Sequence, residues 1–144
     1  MSLAINILED LISIPSQIDI NKEKNIADYL INLLYKYKFD VKTYEYSIDR
    51  PNIVATYKFD REGPTIIFNG HMDTMPAENG EKVNVWKTNP FKATIKDEKI
   101  YGLGACDMKG GIAGALSAIF KTIEENSGKG TIIVNLVCDE ENTS

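Results

Sequence analysis

The sequence contains a single histidine, His71, and this scarcity limits the metal sites that it can build. A site that needs two imidazole ligands cannot be completed within these 144 residues. Cysteine is also scarce, since Cys106 and Cys138 are too few and too far apart for a disulfide framework. We therefore expect a reducing, cytoplasmic location. We interpret both cysteines as small buried apolar residues.

Long apolar runs and positive charge are scarce as well. No apolar run approaches the roughly 20 residues of a membrane helix, and the N-terminus lacks the basic and apolar segments of an export signal. The chain has 21 acidic residues against 16 lysines and arginines, which gives a net charge of −5. This balance is the opposite of what nucleic-acid binders usually show. We expect neither a membrane nor a nucleic acid as a partner.

Apolar side chains recur at helical spacing in three segments. The spacing predicts a helix over about 22–38, with Asn21 or Asp19 as its N-cap. A shorter helix over 3–14 precedes it, and a third helix over 108–125 has the cleanest helical period. The buried face predicted for the first helix consists of Leu8, Leu11 and Ile12.

Six further segments have the pattern of strands: 41–48, 52–59, 64–70, 91–95, 99–101 and 131–137. The last is apolar on both faces except at Asn135, which is typical of a central parallel strand. Because a helix separates 64–70 from 131–137, we predict a parallel βαβ unit with a right-handed crossover. The predicted fold is α/β, a partial three-layer sandwich with a mostly parallel central sheet flanked by helices. Residues 74–90 are predicted to form a long surface loop, a feature that is often functional.

Polar clusters follow both strands of this unit, at 70–74 (GHMDT) and 138–141 (CDEE). The carboxyl ends of parallel strands share one edge of the sheet, where ligands bind in open α/β folds. A third cluster at 102–111 (GLGACDMKGG) precedes the last helix and could bring Asp107 to the same edge. One imidazole and several carboxylates suit a divalent metal such as zinc.

Each of these residues also has a purely structural interpretation. His71 and Asp73 are two residues apart in an extended segment, so their side chains point the same way. Asp73 either fixes the tautomer of a metal-binding His71 or closes a turn. Asp107 stands where a helix N-cap is expected. The acidic residues at 139–141 are either metal ligands or a solvated charge run.

Glycines around the third cluster need a separate explanation. A glycine in the first turn of a helix costs roughly 1 kcal/mol relative to alanine, so we expect something to approach the backbone at Gly110 and Gly111. Gly102 and Gly104 could begin a dinucleotide-binding loop. The third glycine of that fingerprint would fall on Asp107, whose charge opposes a pyrophosphate, so this alternative is disfavoured.

Four motifs in order resemble those of the co-catalytic dizinc aminoacylase and carboxypeptidase family, which includes acetylornithine deacetylase, succinyl-diaminopimelate desuccinylase and glutamate carboxypeptidase. In this sequence they are GHMDT at 70–74, WKTNPF at 86–91, YGLGACDMKGG at 101–111 and DEE at 139–141. Each motif alone is weak, but four in order at ordinary spacing make the resemblance specific. It covers nearly all of this chain.

The resemblance implies a role for each matching residue. His71 would bind one zinc ion, Asp107 would bridge two, and Glu141 would bind the other, with cobalt as a substitute metal. Asp73 would orient His71. Glu140 would be the general base that takes a proton from the water between the metals and passes it to the leaving amine.

Parts of the family pattern have no counterpart in residues 1–144. Family members have a further acidic ligand and a late histidine downstream of the glutamate pair, and an inserted lid and dimerisation domain. We therefore expect the N-terminal portion of a catalytic domain, inactive alone, from an enzyme that hydrolyses an amide bond in an N-acyl amino acid or small peptide. The alternative is a non-enzymatic fragment or weak metal-binding module that self-associates. The choice between a monomer and a homo-oligomer stays open.

Overall fold

The helices and strands occur in the order that the sequence predicts. The computed structural model describes residues 2–78 and 86–142. Within them the helices are α1 (Leu3–Ser13), α2 (Lys24–Lys36) and α3 (Lys109–Glu124). The strands are β1 (Asp40–Ser47), β2 (Arg50–Lys58), β3 (Thr65–His71), β4 (Thr94–Lys96), β5 (Lys99–Tyr101) and β6 (Thr131–Val137). Part of the predicted loop over 74–90 lies outside the described residues.

Each predicted helix forms, with slightly different ends. α1 begins after Ser2, whose side chain caps it, and its buried face includes the predicted Leu8, Leu11 and Ile12. α2 begins after Glu23, so the predicted N-cap at Asn21 or Asp19 is wrong. Glu23 makes no cap hydrogen bond, because its carboxylate lies against a buried arginine instead. None of the helices in the two described ranges is both long and apolar enough to cross a membrane.

The main sheet has the strand order β1-β2-β6-β3. The predicted parallel unit is present, since β3 pairs with β6 in parallel. The pairs β1-β2 and β2-β6 are antiparallel, so the prediction of a mostly parallel sheet is corrected for the described strands. β1 and β2 are antiparallel because only Ile48 and Asp49 join them, and so short a connection reverses the direction of the chain. The antiparallel pair β2-β6 comes from segments that are distant in the sequence. The α/β class itself is confirmed.

One face of this sheet carries the hydrophobic core. Ile53 and Ala55 of β2 lie opposite Leu136 and Val134 of β6. All four are buried and belong to one cluster with side chains from the three helices. On the opposite face, Ile67 of β3 is 61% exposed. The described residues therefore supply two layers, helices and sheet, of the predicted partial three-layer sandwich.

Candidate metal centre

Three potential metal ligands meet at the edge of the sheet where β3 and β6 end. His71 is the last residue of β3, Glu141 follows β6, and Asp107 precedes α3. One ligand atom from each lies within 4.8 Å of the others. Because β3 and β6 are parallel, their carboxyl ends share this edge. The fold thus brings together the three residues that the resemblance implies as metal ligands.

The imidazole of His71 is buried and faces carboxylates on both sides. Its Nε2 lies 3.0 Å from Oδ1 of Asp107 and 3.7 Å from Oε2 of Glu140. Its Nδ1 lies 3.1 Å from the backbone oxygen of Asp73. Since a carbonyl oxygen can only accept, this hydrogen bond keeps a proton on Nδ1 and directs Nε2 toward the acidic side chains.

Asp73 connects the histidine to the glutamate segment. Its carboxylate is fully buried, and its Oδ2 accepts a hydrogen bond from the backbone N–H of Glu141 at 2.8 Å. Its Oδ1 is 3.6 Å from Nδ1 of His71 and has no hydrogen-bond partner. The ring therefore donates its direct hydrogen bond to the backbone carbonyl of Asp73, and the Asp73 carboxylate acts on His71 through its charge.

The pKa values of this cluster reflect its crowded carboxylates. Burial alone would raise the pKa of Asp73, but His71 and the Glu141 N–H outweigh it and lower that pKa. The Asp73 side chain is the main influence that raises the pKa of His71 to about 9, with Asp107 adding to it and burial opposing it. Burial and the nearby charge of Asp107 raise the pKa of Glu141.

These properties fit a divalent metal ion. The donor set is one imidazole nitrogen and two carboxylates, which suits zinc and related cations. The carboxylates repel one another, and a cation between them relieves this repulsion. Asp73 already holds His71 from the side away from these donors, as supporting carboxylates do in metal sites.

Asp107 is not the helix cap that its position allows. The N-cap of α3 is Met108, and no side chain caps this helix. The Asp107 side chain is 75% exposed and directs Oδ1 toward His71. The structural interpretation of Asp107 as an N-cap is therefore wrong.

Lys109 anchors the loop that carries Asp107, a role that sequence reasoning missed. Its side chain is fully buried, and Nζ donates to the backbone oxygens of Leu11 at 2.8 Å and Ile14 at 2.9 Å. These bonds add donors to carbonyls at the C-terminal end of α1, where the helix supplies few, and the Leu11 carbonyl also accepts the N–H of Ile14. Burial lowers the pKa of Lys109 to about 8. The sequence does carry a signal, because Lys109 falls on the apolar stripe of α3 with Ile112, Ala113, Leu116 and Phe120.

The two cysteines differ in exposure. Cys106 is exposed, so its interpretation as a buried residue is wrong. Cys138 is partly buried, and its Sγ donates to the backbone oxygen of Arg50 at 3.5 Å. Burial, with the nearby charge of Glu23, raises the pKa of the Cys138 thiol to about 11.

This contrast predicts unequal thiol reactivity. At pH 8 we expect a disulfide reagent such as DTNB to modify Cys106 first and Cys138 at least about tenfold more slowly, since the thiolate is the reactive form. Between pH 8 and pH 10 the slow phase should accelerate about tenfold per pH unit, because the thiolate fraction grows that steeply below a pKa of about 11. The Cys106→Ser variant should retain only the slow phase. A single phase in which both thiols react at the same rate would contradict the burial of Cys138.

Comparison with known sequences agrees with this arrangement. Succinyl-diaminopimelate desuccinylase of Orientia tsutsugamushi (strain Ikeda) is 38% identical over 141 residues, covering 96% of this chain and 35% of that protein. The chain thus spans about a third of the length of the curated relatives that it matches.

Comparison with solved structures gives the same fold. Human carnosine dipeptidase 1 superposes with a TM-score of 0.83 at 23% identity, over 98% of this chain and 32% of that chain. The M20 family metallo-carboxypeptidase Sso-CP2 of Sulfolobus solfataricus gives 0.77 at 26% identity, over 95% and 31%. The family model that matches residues 67–144 is that of peptidase family M20/M25/M40, which agrees with the resemblance found in the motifs. The chain belongs to peptidase family M20/M25/M40.

Proposed function

We propose that these residues form part of the catalytic domain of a metal-dependent hydrolase that cleaves an amide bond in an N-acyl amino acid or small peptide. The observation that carries the proposal is the convergence of His71, Asp107 and Glu141 within 4.8 Å. Family membership and the named activity of the desuccinylase relatives support the reaction class. The reaction would take place in the cytoplasm, where the free cysteines stay reduced.

We propose that the site binds two zinc ions, for which cobalt can substitute, and that His71, Asp107 and Glu141 are among their ligands. Bound divalent ions polarise a scissile carbonyl and lower the pKa of water. Asp73 keeps the proton of His71 on Nδ1 through its backbone carbonyl, so that Nε2 faces the metal side. Residues 1–144 contain one histidine, so further donors are needed to complete a two-metal site.

Glu140 would act as the general base. Its side chain is 58% exposed, and its Oε2 lies 3.7 Å from Nε2 of His71. From there its carboxylate can accept a proton from the attacking water and donate it to the leaving amine. The pocket beside the centre is lined by residues 74–75, 102–107 and 141. Among the residues that the structure describes, no arginine or lysine lines it to hold a substrate carboxylate.

The single histidine makes the metal proposal simple to test. The metal-free chain has one set of imidazole NMR signals, and added Zn²⁺ should shift them because Nε2 becomes a ligand. Added Co²⁺ should give visible absorption bands that excess Zn²⁺ removes. Unchanged imidazole signals at saturating Zn²⁺ would overturn the assignment of His71.

The activity of the chain is tested with N-succinyl and N-acetyl amino acids in the same samples. We expect metal binding without substantial turnover, because the chain offers three of the ligands that the family pattern implies. Turnover that matches a longer relative would contradict the expectation that these three ligands do not suffice for catalysis. The alternative of a non-enzymatic fragment or weak metal-binding module predicts self-association, so light scattering that shows a compact monomer would count against it.

A further inference from the structure

A buried ion cluster lies next to the metal centre and outside its ligand set. It consists of Glu23, which precedes α2, Arg50, which begins β2, and Asp139, which follows β6. The side chains are 0%, 10% and 15% exposed, respectively. Nε of Arg50 lies 3.2 Å from Oε2 of Glu23, and Nη1 donates to Oδ1 of Asp139. One guanidinium therefore links three segments of the chain.

The contact between Arg50 and Glu23 is an ion pair rather than an aligned hydrogen bond, because both atoms lack a hydrogen-bond partner of good geometry. The hydrogen bond from Arg50 goes to Asp139. The other oxygen of Glu23, Oε1, accepts the backbone N–H of Asp139 at 3.4 Å. Both charged partners thus act on the same residue of the turn after β6.

The contacts of Asp139 also bear on its backbone conformation. Its φ is +63°, in the left-handed region, which aspartate adopts more readily than most residues but less readily than glycine. Glu140 and Glu141 follow directly, so the direction of both side chains depends on this turn. On either side of Asp139, Asn52 Oδ1 accepts the N–H of Cys138 at 3.1 Å and Asp73 Oδ2 accepts the N–H of Glu141 at 2.8 Å.

We propose that Arg50 is a positioning residue: together with Glu23 it holds the backbone of Asp139 and thereby directs Glu140 and Glu141 toward the metal centre. The inference deepens the proposed function and rests on it, since Glu140 and Glu141 are the base and a ligand there. Sequence reasoning had no signal for this role, because Arg50 and Asp139 are 89 residues apart and share no motif.

Arginine suits this position for a geometric reason. Nε and Nη1 lie on different sides of one planar guanidinium and reach Glu23 and Asp139 at the same time. Lysine has the same charge but a single nitrogen, so it cannot hold both carboxylates in this arrangement. Without the cation, two buried carboxylates would face each other and the turn would rearrange.

The test compares Arg50→Lys and Arg50→Met with the same substitutions at Arg61, the other arginine of the chain. Arg61 also holds a turn, through Nη2 to the backbone oxygens of Asn126 and Gly128, but it takes no part in the metal centre. Co²⁺ affinity, the visible Co²⁺ spectrum and thermal stability are measured for each purified chain. We expect both Arg50 variants to bind Co²⁺ about tenfold more weakly, with a changed spectrum, as for other residues that support ligands.

The Arg61 variants should lose stability while keeping the affinity and the spectrum. If Arg50→Met fails to fold, Arg50→Lys carries the test, since it retains the buried positive charge. Arg50 variants that are folded and have the affinity and spectrum of the unmodified chain would overturn the inference.

Failure of the proposed function is recognised separately, because the unmodified chain would then bind no Co²⁺. In that case the positioning role of Arg50 is tested by the hydrogen exchange of backbone amides. The N–H groups of Asp139 and Glu141 should exchange faster in Arg50→Lys than in Arg61→Lys, and equal exchange in the two variants would overturn the positioning role.

Discussion

Replacing Asp73 by alanine is expected to weaken Zn²⁺ binding by the chain about 100-fold, at the upper end of the effect of residues that support metal ligands. The expected loss is large because Asp73 acts on two proposed ligands at once. Its carboxylate lies 3.6 Å from Nδ1 of His71 and accepts the backbone N–H of Glu141. Alanine removes the charge beside the imidazole and leaves the Glu141 N–H without its acceptor.

The Asp73→Asn variant separates these two contributions. Asparagine retains an oxygen that can accept the Glu141 N–H, but it is neutral, so the affinity should fall between that of the unmodified chain and that of Asp73→Ala. Competition with a chelator of known affinity measures the three proteins, and circular dichroism confirms that each is folded. Asp60→Ala, at an exposed acidic residue away from the centre, serves as the control. Equal affinities for Asp73→Ala and Asp60→Ala would contradict the role of Asp73.

The parts of the site that follow local patterns could be predicted from the sequence. The apolar strand 131–137 and the helix before it predicted that β6 lies parallel to β3, as the structure shows. This pairing places His71 and the Glu140-Glu141 pair at one edge of the sheet. The loop before α3 brings Asp107 to the same edge of the sheet, close to His71 and Glu141. The convergence follows from topology, which periodicity can indicate.

Features that depend on contacts between distant segments could not be predicted. A mostly parallel sheet was predicted, but β2 pairs with β6 in the antiparallel direction. No local sequence pattern determines which strand becomes the neighbour of another. Glu23 stands at the start of α2, where a side chain that caps the helix is expected, but its carboxylate pairs with Arg50 instead. Lys109 lies within a predicted motif, but its acceptors are at the C-terminal end of α1 and just after it. Such buried charges are determined by tertiary partners.

The glycine prediction is intermediate between these cases. The sequence indicates that something approaches the backbone at Gly110 and Gly111. The structure shows a close approach at Gly110, where an added Cβ would lie 2.3 Å from the backbone oxygen of Ala105. At Gly111 the nearest atom would be the methyl group of Met108 at 3.4 Å, an ordinary contact. The expectation is correct for Gly110, with the chain's own loop as the approaching group, and wrong for Gly111.

Gly110→Ala is therefore expected to lower the free energy of unfolding by about 1–3 kcal/mol, the usual cost of forcing extra volume into a packed region. The clash is with a backbone oxygen, which no side-chain rotation relieves. Asp107 lies between Ala105 and the start of α3, so the shift that accommodates the methyl group should also displace this proposed ligand and weaken Zn²⁺ binding.

Gly114→Ala is the matched control on the same helix. An added Cβ at Gly114 has nothing within 4 Å, so alanine should raise the free energy of unfolding by roughly 0.5–1 kcal/mol through its better helix propensity. Urea unfolding of the three proteins in the presence of a chelator measures both effects without a metal contribution. Opposite signs would show that the Ala105 carbonyl, rather than glycine's general cost in helices, accounts for Gly110. If both substitutions stabilise the chain, the loop that carries Asp107 must move to make room for the methyl group at Gly110. The close contact between Ala105 and Gly110 would then not determine the position of the Asp107 carboxylate.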